Sequence, residues 1–442
     1  MTETLPSVLQ EDLLSIKLLL WGNDIKADIF SRWSQGFYFS QNEPSALEQT
    51  HGGPCSILAP VQAYIIKNLL LENETFDSKT SISEAKQNEM LQGALCEIVR
   101  QCSTGKYYAA YLDHGDVTAA SETTINGDRP FEDALRQQTS TSFHPSKFHA
   151  SLRLKVFSDA DEFENYVSEN VVKYKGAYGI LLFLYSVIAT KGLNQVRTEC
   201  DTSEPLIDAT YGYGSQSLIN LMITGRAVTY VWDFEQDVGG LKLKGLERQS
   251  KIGFITLMEH LRYCTVGSFF KNPVHPVWVL GSETHLTVLF STNKRLVSPE
   301  TKSEQARRIF KNYDKDGNNF ISSDKLQDVL YELELVSDEA YVDIMKKKLD
   351  SEHLGIILLN AFMDEFFPKE ESSTPDTFQL MHYNGLGQSN YDGNVIYRHG
   401  TAILLESDLR AMCESNPMLT CLLTKWPTIE INWQDNVTPS LN

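Results

Sequence analysis

The run Gln49-Thr50-His51-Gly52-Gly53-Pro54-Cys55 gathers a side-chain amide, an imidazole and a thiol around two glycines. The glycines let a backbone lie close to a bound chain. Pro54 presets φ for a helix start, and Ile57 to Leu71 are apolar on nearly every face. Cys55 therefore falls at the N-terminus of a helix that sits inside the protein. Free N–H groups and the helix dipole favour a thiolate there. That is the placement a cysteine nucleophile needs. The competing reading is a small buried thiol, because free cysteine is among the most buried residue types. Pro60 predicts a distorted second turn.

A thiolate nucleophile wants a histidine base. Of ten histidines, His285 has the best setting. Pro276 to Leu280 and Leu286 to Phe290 are β-rich runs around Gly281-Ser282-Glu283-Thr284, a hairpin pattern. Leu286, Val288 and Phe290 point one way, and His285, Thr287 and Leu289 the other. One face anchors the strand and the other offers His285 to a cleft. Alone, His285 reads as an edge residue beside a turn. His51 is the second choice. Gln49, six residues before Cys55, can donate an N–H to a tetrahedral oxyanion. Without its neighbours it is a surface glutamine.

The run from Asp314 to Lys325, DKDGNNFISSDK, aligns with an EF-hand loop. Asp314, Asp316 and Asn318 fill the first three ligand positions, and Ile321 the apolar eighth. Asn319 replaces the turn glycine, and Lys325 replaces the bidentate glutamate. The pattern predicts the helix–loop–helix fold without calcium. Leu349 to Ile357 looks like the remnant of a second hand. No metal and no other cofactor is expected. Tyr211-Gly212-Tyr213-Gly214 is too weak for a phosphate loop, since no Lys-Ser/Thr follows.

The elements around these groups predict an α+β chain. The first 110 residues are mostly helical, and Val117 to Ser146 read as a long mobile loop. Leu152 to Val156 alternate as a strand, and Ser158 is placed to cap a helix running towards Gly176. Ala177 to Ala189 form a buried helix, too short to span a bilayer. Further helices are expected through Leu218 to Met222, ending near Gly225, and around Phe254 to Tyr263. Short strands follow at Phe378 to Tyr383, Val395 to Tyr397, Thr401 to Leu405 and Ile429 to Trp433. We expect a first domain over residues 1–298, a degenerate EF-hand-like insert over 299–370, and a return of 371–442 to the first domain.

Composition limits the partners. Lys and Arg total 39 against 58 Asp and Glu, a formal charge of −19. Such a surface repels phosphate backbones and anionic lipid heads, so neither nucleic acid nor membrane is expected as a partner. Seven cysteines without a CxxC pair argue against a disulfide framework and a zinc module. A reducing compartment, the nucleus or the cytoplasm, is expected.

Longer motifs carry a resemblance. WSQGF at 33–37, ALEQ at 46–49, GGPC at 52–55, APVQA at 59–63, GSQSLINL at 214–221 and GSETHLTV at 281–288 closely resemble the MINDY deubiquitinases. MHYNGL at 381–386 and TKWP at 424–427 fit as well. The match is nearest to the family's third member, which also carries an EF-hand-like insert. The resemblance implies a papain-like fold, thiol isopeptidase activity, and ubiquitin in lysine-48-linked chains as partner and substrate. It implies Cys55 as nucleophile, His285 as general base and Gln49 as oxyanion-hole donor. The step from position 55 to position 285 exceeds the roughly 130–150 residues of the papain pattern, so insertions are expected between them. Asn384 and Glu283 both stay open as the residue that orients His285. The alternative is an inert ubiquitin-binding or calcium-responsive adaptor.

Overall fold

Residues 55–72 offer water almost no polar face, and they form one helix, α1 (Cys55–Glu72), buried along most of its length. The computed structural model describes residues 5–72, 82–113, 144–298, 301–314, 318–369, 373–405 and 416–442. Most of the expected mobile loop lies outside the described residues, whereas Pro145–Ser151 is a short helix. Pro60 sits inside α1, and the helix continues through it. Only one backbone donor is lost there, close to the helix start.

Three further helices pack on α1: α2 (Glu84–Cys102), α3 (Gly179–Lys191) and α4 (Gln216–Thr224). The expected apolar helix is α3, buried on all sides. The backbone leaves α4 through Gly225 at φ +73°, a left-handed exit that suits glycine. Among the described residues no single helix is long and apolar enough to cross a membrane.

Opposite α1 lies a six-stranded sheet. Its strands are β1 (Gly253–Thr256), β2 (Val277–Gly281), β3 (Leu286–Phe290), β4 (Thr377–Tyr383), β5 (Tyr397–Leu404) and β6 (Ile429–Trp433). They lie side by side in chain order. The β1–β2 pair is parallel and the others are antiparallel. Leu286, Val288 and Phe290 join the α1 side chains in the main core, as their alternation predicted.

Three local expectations are corrected. The helix expected from Phe254 is a strand up to Thr256, because Phe254 and Ile255 pair with Val279 and Leu280. Only Leu257–His260 is helical. The two short strands expected within 395–405 are one strand, β5, which passes through Gly400. A Cβ at Gly400 would come 2.7 Å from the Trp433 ring, so this glycine serves packing and does not break the strand. Asp159, not Ser158, precedes the helix Ala160–Glu169, and Asn170 separates it from Val171–Lys175.

The chain divides into two compact units, Met1–Asn293 with Thr377–Asn442, and Lys294–Asp376. The second has its own core, including Phe310, Ile321, Leu330, Ile357 and Phe362. Ile321 and Ile357 face each other in a two-stranded ladder. Asn319 takes φ +62°, the left-handed backbone that a glycine would otherwise supply. Asp314 accepts the N–H groups of Asn318 and Asn319, and Asp350 those of Leu354 and Gly355. The Lys325 ammonium pairs with Asp328 at 3.1 Å on the surface.

Candidate active site

The site is built where α1 begins. Gly53 has φ +136°, and a Cβ there would meet Trp33 Nε1 at 3.1 Å. Nothing would touch a Cβ at Gly52, which leaves open space beside the loop. Arg32 Nη1 donates to the Gly52 carbonyl at 3.2 Å, and Trp33 Nε1 to the Gly212 carbonyl at 2.9 Å. These bonds fix the loop that delivers Cys55 to the first position of α1.

Cys55 is 4% exposed. Its thiol points to the Gly53 carbonyl, with Sγ 3.8 Å from the oxygen. Burial pushes the thiol up to about 11, and backbone N–H groups of Leu286, Ser56 and Cys55 work against that rise. The resting thiol is therefore protonated. The same N–H groups are donors that favour negative charge on or beside the sulfur.

Leu286 is the residue after His285, so the strand that brings an N–H to the thiol also brings the imidazole to the site. The Ser282 hydroxyl accepts the N–H groups of Thr284 and His285, which fixes the turn ahead of β3. His285 is 6% exposed. Burial lowers its pKa below the usual imidazole value, and a hydrogen bond from Nε2 to Asn384 Oδ1 at 2.9 Å partly restores it. With the ring proton on Nε2, Nδ1 is left as an acceptor.

Of the two candidates for orienting His285, Asn384 is its partner, and Glu283 is exposed in the turn. Asn384 directly follows β4, the neighbour of β3 in the sheet. The sequence signal was the position of Asn384 at the end of an apolar strand. Its link to His285 becomes legible only with the strand pairing.

Gln49 is 5% exposed. Its backbone N–H donates to the Gly385 carbonyl at 2.7 Å, which ties it to the residue after Asn384. Its Nε2 donates to the His51 carbonyl at 2.7 Å, leaving a second amide hydrogen. The His51 ring is exposed and bonds Thr50 Oγ1 at 3.0 Å, so His51 contributes its carbonyl to the group and not its imidazole. Among the described residues no cluster of His, Cys, Asp or Glu could hold a metal ion.

Residues 17–319 match the family described as "Deubiquitinating enzyme MINDY-3/4, conserved domain". The chain belongs to the MINDY deubiquitinases. It is a cysteine-type deubiquitinase. It is 53% identical to the fruit fly protein "Ubiquitin carboxyl-terminal hydrolase MINDY-3 homolog" (Drosophila melanogaster), over 98% of this chain and 83% of that one. The human protein "Ubiquitin carboxyl-terminal hydrolase MINDY-3" is 45% identical, over 96% and 98%. Similarity to the mouse "Probable ubiquitin carboxyl-terminal hydrolase MINDY-4" is lower, 30% over 68% of this chain and 39% of that one. No solved structure matches. The MINDY match covers α1 to α4, β1 to β3 and part of the second unit, and it ends before β4 and Asn384.

Proposed function

We propose that this enzyme hydrolyses lysine-48-linked polyubiquitin with Cys55 as nucleophile, His285 as general base and Gln49 as oxyanion donor. The observation that carries the reading is the Asn384 Oδ1 held 2.9 Å from His285 Nε2, one residue from the Leu286 N–H that meets the thiol. His285 Nδ1 takes the thiol proton as sulfur attacks the carbonyl carbon of ubiquitin's last glycine. The free Gln49 N–H and the backbone N–H groups at the start of α1 receive the oxyanion. The imidazolium then protonates the leaving lysine amine, and water releases the thioester with His285 again as base. Gly52 and Gly53 suit a narrow Gly-Gly tail. A helix bearing the cysteine, packed on a sheet bearing histidine and asparagine, supports a papain-like arrangement. The six described cysteines are free thiols, which suits the nucleus or cytoplasm.

The test is cleavage of a panel of ubiquitin dimers and longer chains. Lysine-48 linkages are expected to be cut fastest. Equal rates across linkages would remove the specificity and leave the chemistry.

Gln49→Ala is expected to lower kcat by roughly 10²-fold with little change in KM, the size seen for loss of one oxyanion donor. Gln49→Glu should be worse, because it puts negative charge where a donor is needed. If both variants weaken substrate binding and leave single-turnover chemistry intact, Gln49 is a contact residue only.

No calcium switch is expected in the second unit. The Lys325 ammonium, paired with Asp328, occupies the residue position of the bidentate carboxylate. A site of micromolar affinity would stabilise its unit by about 4 kcal/mol at millimolar calcium. Thermal denaturation with and without calcium should show no shift, and a shift of several degrees would revive a calcium-responsive role.

A further inference from the structure

Asn384 is held from its far side as well as by His285. Its Nδ2 donates to the main-chain oxygens of Ser440 and Asn442, each at 3.1 Å. Its Oδ1 accepts from His285 Nε2 at 2.9 Å and from the Leu386 N–H at 3.0 Å. A primary amide offers two hydrogens and two lone pairs. All four are used, and the side chain is buried. The segment that supplies the two oxygens is itself anchored. Leu441 is 3% exposed. Around it the Asn442 N–H bonds Ser440 Oγ at 3.1 Å, and Ser440 Oγ donates to the Asn442 oxygen at 2.9 Å.

We propose that Ser440–Asn442 is a positioning element of the active site, whose two main-chain oxygens hold the Asn384 amide with its oxygen towards His285. The inference rests on the roles given above to Cys55, His285 and Asn384. An amide is nearly symmetric in shape, so what decides its orientation is its partners. Without the two oxygens, the Leu386 N–H alone would oppose a flip, and the flipped amide would aim an N–H at His285 Nε2. The ring proton would then sit on Nδ1, and the thiol would lose its acceptor. Together with the Leu386 N–H, the segment thus selects the working tautomer without touching substrate.

The experiment compares the whole chain with one ending at Pro439, each with Asn384 and with Asn384→Asp. Truncation is expected to lower kcat by about tenfold or more, as for a small misplacement of a catalytic group, with KM nearly unchanged. A carboxylate has an acceptor oxygen on both sides, so it has no wrong face. In the whole chain Asn384→Asp sets that charge against two main-chain oxygens, and kcat should fall. In the truncated chain Asn384→Asp should restore kcat relative to truncation alone. A segment that only supports the fold would lower both forms alike, and that result overturns the proposal. Leu441→Ala keeps the chain whole and should lower kcat by a smaller factor with the thermal midpoint close to wild type; unchanged kcat in this variant and in the truncated chain also overturns the proposal. Asn384→Ala separates the two levels. If it is crippled while truncation is harmless, the segment's role fails and the roles of Cys55, His285 and Asn384 stand. If Asn384→Ala matches wild type, the role of Asn384 fails first and the segment's role with it.

Discussion

Cys55→Ala should show no detectable cleavage of ubiquitin chains and no labelling by a ubiquitin probe bearing a C-terminal electrophile. The expectation is total because the covalent route needs the sulfur, and no other described thiol is so placed. Cys96 and Cys102 lie in α2, where burial pushes each up to about 12. Cys421 is buried in the helix Pro417–Leu423 and is also raised. Among the described cysteines only Cys55 opens its helix and is opposed in its rise by the N–H groups of Leu286, Ser56 and its own backbone. The fold should survive, because alanine suits a helix and the deleted atom is small. Retained hydrolysis would end the proposed mechanism. The raised thiol adds a second readout. Burial raises the thiol well above its ordinary value, so little of it is ionised near neutral pH. Iodoacetamide should therefore label Cys55 slowly. The ubiquitin probe should label it far faster, because its tail holds the electrophile beside the sulfur.

The two halves of the site differ in how far they could be read from residues alone. Cys55 was legible because its signal is local: two glycines, a proline and an apolar run define a helix start within seven positions. His285 was legible because a hairpin and its alternation are local too. Asn384 was not fixed, since 99 positions separate it from His285. The pairing of Tyr383 with Val288 is what brings the two together. Between them the chain forms the whole second unit, then returns as β4. No short-range pattern encodes that register. The same limit explains Phe254 to Thr256. Their spacing suits a helix, but the parallel partner β2 makes them a strand. Gly400 misled in the opposite sense, because its reason is the Trp433 ring packed against it and not a turn. The Gln49 side chain lay within reach of inference, but its tie to Gly385 did not.

His285→Ala should lower kcat by roughly 10²–10⁴-fold, the usual contribution of a general base. Substrate binding should change little, because the buried ring faces Asn384 and not an open surface. The pH profile gives this prediction a sign. The working form is the neutral imidazole, and burial holds its pKa below the ordinary value. The acid limb of kcat/KM should therefore lie below about 6.5, with activity lost as pH falls through it. Asn384 supplies the opposing contribution that raises this pKa. Asn384→Ala should then do two things at once: lower kcat, because the ring loses its orientation, and shift the acid limb to still lower pH. A residue that merely supported the strand would not move the limb. A His285→Ala variant within a few-fold of wild type would transfer the base to another histidine. His51, exposed and bonded to Thr50, would be the next to test. An alkaline limb set by an imidazole raised above its ordinary value, with activity lost as pH rises through it, would show that His285 acts as a cation paired with a Cys55 thiolate, and the neutral pair would have to be abandoned.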